Sequence, residues 1–142
     1  GREMISICTP RPNVQDRRDQ WGYAIPSADI SAIYVIDPTD EPLVRPFHNG
    51  IKILALSELV GDVVIVQPLS GANVQGNQSL VDYVHPTDAT YVFWHDDEHM
   101  TTDDLAGVTP DALVYIPTSD DTQLYSASAM MVVMYDRLAK GG

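Results

Sequence analysis

Short apolar runs, each cut off by proline, glycine or an acidic pair, set the rhythm of the chain. Met4-Ile5-Ser6-Ile7-Cys8 alternates and predicts a first strand, stopped by Pro10 and Pro12. Asn13 is placed to cap a polar helix over 14–24, with Trp21 and Ile25 facing inward and Pro26 ending it. Ile30–Ile36 is β-branched and aromatic and predicts a buried strand closed by Asp37-Pro38. Loop follows from Thr39 to Asn49, then a third strand over Ile51–Leu54 and a helical turn at Ser57-Glu58-Leu59. Val63–Val66 is a further strand, ended by Pro68.

Beyond it, Ser70–Asn77 is polar and glycine-rich and predicts a surface loop; it has neither the P-loop lysine nor G-x-G-x-x-G spacing. Leu80–Val84 predicts a turn or short helix before His85-Pro86, and Tyr91–Trp94 another buried strand. Thr102-Asp103-Asp104-Leu105 predicts a capped helical turn, and Ala112–Ile116 the last strand. A helix closes the chain. Ala127, Met130, Met131, Met134 and Leu138 recur at i, i+3, i+4 spacing, which puts them on one face. Ser126 or Ser128 caps its start, Arg137 and Lys140 suit the dipole in its last turn, and Gly141-Gly142 ends it. Five or six short strands alternating with helical stretches predict an α/β fold, a mainly parallel sheet flanked by helices.

Composition narrows this further. The 142 residues fit one domain, expected over 4–140, with Gly1-Arg2-Glu3 ahead of Met4 read as a cloning remnant. Hydrophobic residues at 44% argue against disorder. No apolar run approaches a membrane span and no signal peptide is visible, so no membrane partner and a cytoplasmic location are expected. Cys8 is the only cysteine, which rules out an internal disulfide; on an apolar strand it is expected to be a buried thiol. The net charge of −12, from 16 Asp and 4 Glu against 6 Arg and 2 Lys, marks an acidic protein that repels a nucleic-acid backbone unless its cations cluster. Abundant Asp with scarce Lys also suits a high-salt environment.

Three stretches carry candidate chemistry. His95-Asp96-Asp97-Glu98-His99 matches H-x-x-E-H, an inverted zinc-protease pattern, but that pattern belongs on a helix and here runs straight on from a strand. A polar loop at a strand's carboxyl end is the default, and no metal is expected. In parallel sheets ligands sit beyond the carboxyl ends of strands. The loops from Leu69, from Trp94 to His99 and from Pro117 to Ser126 are placed there. Arg11, Arg17 and Arg18 form the only dense cationic group, suited to a phosphate or a reacting hydroxyl, or else paired with Asp16 and Asp19 on a surface helix.

In this order the pieces resemble the SPOUT class of RNA methyltransferases, in its minimal SpoU/TrmH-type form. Val92-Phe93-Trp94-His95-Asp96-Asp97-Glu98-His99-Met100-Thr101 stands where the family has a V-F-G-x-E-x-x-G-L-S-like motif. Ile116-Pro117 matches its Ile-Pro strand end. Gln123–Asp136 (QLYSASAMMVVMYD) corresponds without gaps to S-L-N-V-S-x-A-A-x-x-x-L-Y-E. The N-x-G-x-x-x-R motif survives loosely as Asn13 with Arg17 and Arg18.

The resemblance implies a carboxyl-terminal trefoil knot, with the helix from about Ser126 threaded through the preceding loop, and a homodimer. It implies S-adenosylmethionine held among the three loops by Pro68, Leu69, Trp94, His95, Asp96, Ile116, Pro117, Leu124 and Ala127. The reaction implied is 2′-O-methylation of a ribose in tRNA or rRNA, with Arg18 activating or orienting the hydroxyl and Tyr125 or Ser126 lining the site. Trp94 replaces the motif glycine, His99 the later glycine and Tyr125 the asparagine. A second expectation therefore stands beside the first, a catalytically inactive homodimer of the same fold acting in binding or interaction.

Overall fold

The computed structural model describes residues 5–8, 32–35, 51–53, 56–59, 61–67, 77–93, 108–119, 124 and 126–141. They contain seven strands: β1 (Ile5–Cys8), β2 (Ala32–Val35), β3 (Ile51–Ile53), β4 (Asp62–Gln67), β5 (Asn77–Ser79), β6 (Ala89–Phe93) and β7 (Ala112–Tyr115). Single 3-10 turns lie at Leu56–Glu58 and Leu80–Asp82, and one helix, α1, spans Ser126–Ala139. The strands form one sheet in the order β3-β2-β1-β6-β4-β7-β5, and every pairing is parallel.

Position in this sheet explains the sequence pattern of each strand. β6 and β4 are central; all five residues of β6 and the last five of β4 are buried. Strands covered on both faces read as continuous apolar runs, and ATYVF and VVIVQ do so. β7, one place from the edge, alternates buried and half-buried residues. β5 is the edge strand beside β7, and its Asn-Gln-Ser sequence has no apolar signal at all. It lies at the end of the stretch expected to be loop, which is why the sheet has seven strands rather than five or six.

Side chains alternate across the sheet. One face presents Ile7, Val64, Val66, Tyr91, Phe93 and Val114 to α1, which contributes Ala129, Met130, Val133 and Met134, while Leu80 and Tyr83 close the same core. On the other face Ile65 and Val92 are fully buried as well. Burying a side chain of this size stabilises the fold by about 1.5–3 kcal/mol relative to exposure, so this double-sided core is the main source of stability.

The helical face expected from spacing is corrected by the structure. Met130 and Met134 face the sheet, but Met131 and Leu138 are exposed, Leu138 by 73%. The buried positions are Ala129, Met130, Val133, Met134 and Arg137, the last four at i, i+3, i+4, i+7 spacing. The stripe is turned toward Arg137 because backbone carbonyls wait there for the guanidinium. Gly141 ends α1 at φ +76°, donating its N–H to Leu138 O at 3.1 Å, a left-handed closure that glycine adopts without strain.

Gly61 has a comparable role at the start of β4. Its φ is +70°, and a Cβ there would stand 2.8 Å from Asp88 O, so the turn must be glycine. Asp62 N–H then bonds Asp88 O at 3.1 Å. Next to it Asp111 N–H donates to Val63 O, while Val63 N–H donates to Asp111 Oδ2 at 2.7 Å. The amino ends of β4, β6 and β7 are thereby locked in register. The expected helices at 14–24 and 102–105 lie outside the described residues.

Candidate active site

Strand order alone assembles the candidate site. β6, β4 and β7 are neighbours, with Val66 opposite Phe93 and Gln67 opposite Tyr115. Adjacent strands lie about 4.8 Å apart, so the chain leaves the sheet after Phe93, Gln67 and Tyr115 within roughly 10 Å. These are the three exits expected to hold a ligand. Phe93, Val66 and Gln67 are buried beneath them. Ile116 and Leu124 both pack, partly buried, against the core cluster, so the segment beyond β7 returns to the core just before α1 begins at Ser126. Pro117, between them, is exposed.

Of the residues expected at the site, Ile116 and Pro117 directly follow β7 at its carboxyl end, Leu124 packs against the same core cluster as Ile116, and Ser126 and Ala127 lie in the first turn of α1. Arg18, Pro68, Leu69, Trp94, His95, Asp96 and Tyr125 lie outside the described residues, as does the H-x-x-E-H stretch. Among the described residues no group of His, Cys, Asp and Glu is arranged to hold a metal. No described helix is long and apolar enough to cross a membrane.

A polar network that the sequence did not announce ties α1 to β6. Arg137, 2% exposed, donates through Nη1 to Pro86 O (2.6 Å) and Tyr91 Oη (2.8 Å), and through Nη2 to Thr87 O (2.9 Å). His85 Nδ1 lies 2.8 Å from Tyr91 Oη and His85 Nε2 2.6 Å from Asp136 Oδ2. Since a carboxylate only accepts, Nε2 carries the proton, and in the neutral ring Nδ1 accepts from Tyr91 O–H. Lys140 Nζ reaches Leu80 O, Tyr83 O and Asp136 Oδ2 at 2.7, 2.8 and 2.9 Å. The expectation that Arg137 and Lys140 only complement the helix dipole is thus too modest; they fasten α1 to the segment before β6.

The electrostatics follow from burial. Burial lowers the His85 pKa below the ordinary histidine value; the Lys140 and Arg137 charges act in the same direction and Asp136 opposes them. For Asp136 burial works against ionisation, yet the hydrogen bonds from His85 and Lys140 and their charges hold its carboxyl below the usual range. Burial, aided by Tyr91, Asp62 and Asp111, pushes Tyr83 up to about 12. One signal in the sequence pointed here: Arg137 falls on the apolar stripe of its own helix, a position a cation occupies only with dedicated acceptors.

No family model and no curated protein matches the chain. Solved structures do. The AdoMet-bound rRNA methyltransferase of Sinorhizobium meliloti superposes with a TM-score of 0.72 at 13% identity, over 98% of this chain and 57% of that one. The SpoU methyltransferase AviRb of Streptomyces viridochromogenes, in complex with AdoMet, gives 0.70 at 10% identity, over 99% and 59%. The A. aeolicus TrmH/SpoU tRNA modifying enzyme gives 0.69 at 9% identity, over 99% and 76%. The chain thus spans little more than half the length of the first two. At these identities the likeness is one of architecture: this chain has the fold of the SpoU/TrmH-type RNA methyltransferases.

Proposed function

We propose that the chain is an S-adenosylmethionine-dependent RNA methyltransferase that modifies a ribose 2′-hydroxyl in tRNA or rRNA. The observation that carries this reading is the convergence of the three exits from β4, β6 and β7, in a fold shared with proteins solved with AdoMet bound. The residues present fit such a cofactor in part. Ile116 and Leu124 offer an apolar wall resting on the core, and the small residues Ser126 and Ala127 open α1 beside it. S-adenosylmethionine supplies an electrophilic methyl group. On this reading backbone from Pro68-Leu69, Trp94-His95-Asp96, Ile116-Pro117 and Leu124–Ala127 holds it, Arg18 orients the ribose hydroxyl and favours its deprotonation, and Tyr125 or Ser126 lines the reacting side.

The carboxyl-terminal trefoil knot and the homodimer belong to the same proposal. Met131, Val132, Tyr135 and Leu138 form an exposed apolar stripe along α1, with Tyr135 72% exposed. A second copy is its natural cover, because two identical stripes are self-complementary about a two-fold axis. Introducing charge with Tyr135→Asp and Leu138→Asp is expected to convert a dimer to a monomer in sedimentation; an unchanged dimer removes this face from the interface.

One observation favours the inactive homodimer instead. The two cations at the carboxyl end of α1, Arg137 and Lys140, are spent on internal carbonyls and Asp136. RNA contact then falls to cations such as Arg11, Arg17 and Arg18 against a net charge of −12. Calorimetry with S-adenosylmethionine separates the readings. Saturable binding, with labelled methyl transfer to tRNA or rRNA lost in Arg18→Ala, supports the enzyme. No binding at millimolar ligand ends it and leaves the non-catalytic dimer.

A further inference from the structure

We propose that His85 is a proton-operated latch: neutral, it ties the last turns of α1 to β6, and protonated, it releases them. The latch stands apart from the methyl-transfer reading and rests on how the imidazole is held. Its side chain is 1% exposed, and both ring nitrogens are engaged, Nε2 by Asp136 from α1 and Nδ1 by the Tyr91 hydroxyl from β6. In the neutral ring the direction of each bond is fixed: Arg137 donates to Tyr91 Oη, Tyr91 donates to Nδ1, and Nε2–H donates to Asp136.

A second proton on the imidazole must go to Nδ1, and the Tyr91–His85 bond then has to reverse. The same proton adds a third cation to a network that already holds Arg137 on Tyr91 and Lys140 on Asp136. Among the described residues, Asp136 is the one carboxylate that touches the ring. Tyr83 stands edge-on to it at 5.1 Å, and Asp62 and Asp111 bear on Tyr83 rather than on His85. Asp82 is exposed, lining a cavity of about 280 Å³ with Val81, Tyr83, Val84, His85 and Lys140. That cavity is the route by which solvent protons reach the ring.

Opening the latch leaves the apolar contacts of Met130 and Val133 in place, so the release is local to the turns that carry Asp136, Arg137 and Lys140. These turns adjoin Tyr135 and Leu138, the most exposed apolar residues of the helix. Acid therefore acts where α1 meets whatever covers its outer stripe.

Amide hydrogen exchange on the wild-type chain from pH 8 to pH 5, expressed as protection factors, reads the latch directly. Protection in the last two turns of α1 is expected to fall about tenfold per pH unit below about 6.5, while β4 (Asp62–Gln67) keeps its protection. That loss should level off at the pH where the His85 imidazole signal titrates in NMR. In His85→Gln, where the amide bonds both Asp136 and Tyr91 without titrating, protection should stay flat. Constant wild-type protection overturns the proposal. So does an equal loss in β4, which is global unfolding, or the same fall in His85→Gln. Should that variant not fold, a loss of protection in the wild type that does not level off where the imidazole titrates overturns the proposal by itself.

Discussion

His85 Nε2 and Asp136 Oδ2 lie 2.6 Å apart across 51 residues of sequence. This bond joins the segment that leads into the central strand β6 to the last turns of the terminal helix. With the His85 side chain 1% exposed, it is the polar counterpart of the buried packing of Met130 and Val133 in the same helix.

Tyr91 is the hub of that network, because its hydroxyl serves His85 and Arg137 together. Tyr91→Phe keeps the ring, itself fully buried, and strands two polar partners. Thermal unfolding is expected to show a loss of about 1–3 kcal/mol. A change under 0.5 kcal/mol would mean that the hydroxyl bridges nothing of consequence.

Stability against pH should carry two arms. His85 has a lowered pKa in the folded chain, so between that value and about 6.5 the unfolded chain binds more protons and stability falls as pH falls. Asp136, also lowered, adds a further loss below about 3.9, where the unfolded carboxyl protonates first. On the alkaline side Tyr83, at about 12 when folded, stays neutral while its unfolded counterpart ionises near 10. Stability therefore falls as pH rises from about 10 toward 12. Denaturant midpoints across this range test both arms, and Tyr83→Phe should flatten only the alkaline one.

Gly61→Ala should be among the most damaging small changes on the surface. The new methyl meets Asp88 O at 2.8 Å in a left-handed backbone, for an expected cost of about 2 kcal/mol or more. Urea unfolding reads it; a neutral result would mean the turn rearranges without loss.

Salt should stabilise the protein. Glu58, Asp62, Asp82, Asp88 and Asp111 are all exposed, in a chain of net charge −12, and screening relieves their mutual repulsion. The unfolding midpoint is expected to rise between low and molar potassium chloride. An unchanged or falling midpoint removes the high-salt reading.

Legibility followed burial. β4, β6 and β7 were readable because central parallel strands are apolar throughout, and their ends agree with expectation to within two residues. β5 was not, because an edge strand of Asn-Gln-Ser carries no hydrophobic signal. The face of α1 was half right. Met130 and Met134 were inward as expected, but Met131 and Leu138 were not, since apolarity alone does not say which side has acceptors for Arg137. Of the candidate site, Ile116 was legible through the Ile-Pro strand end and Leu124 through the ungapped motif, and both pack against the core cluster.

By itself the sequence determined that apolar strands alternate with loops and end in a helix, because period and punctuation are local properties. It also determined the acidic surface, a matter of composition alone. Only the tertiary structure decided that β6 inserts between β1 and β4, which sets the carboxyl ends of β6, β4 and β7 side by side. Only it decided that His85, Tyr91, Asp136 and Arg137 share one buried network. Both depend on contacts tens of residues apart, which no local pattern encodes.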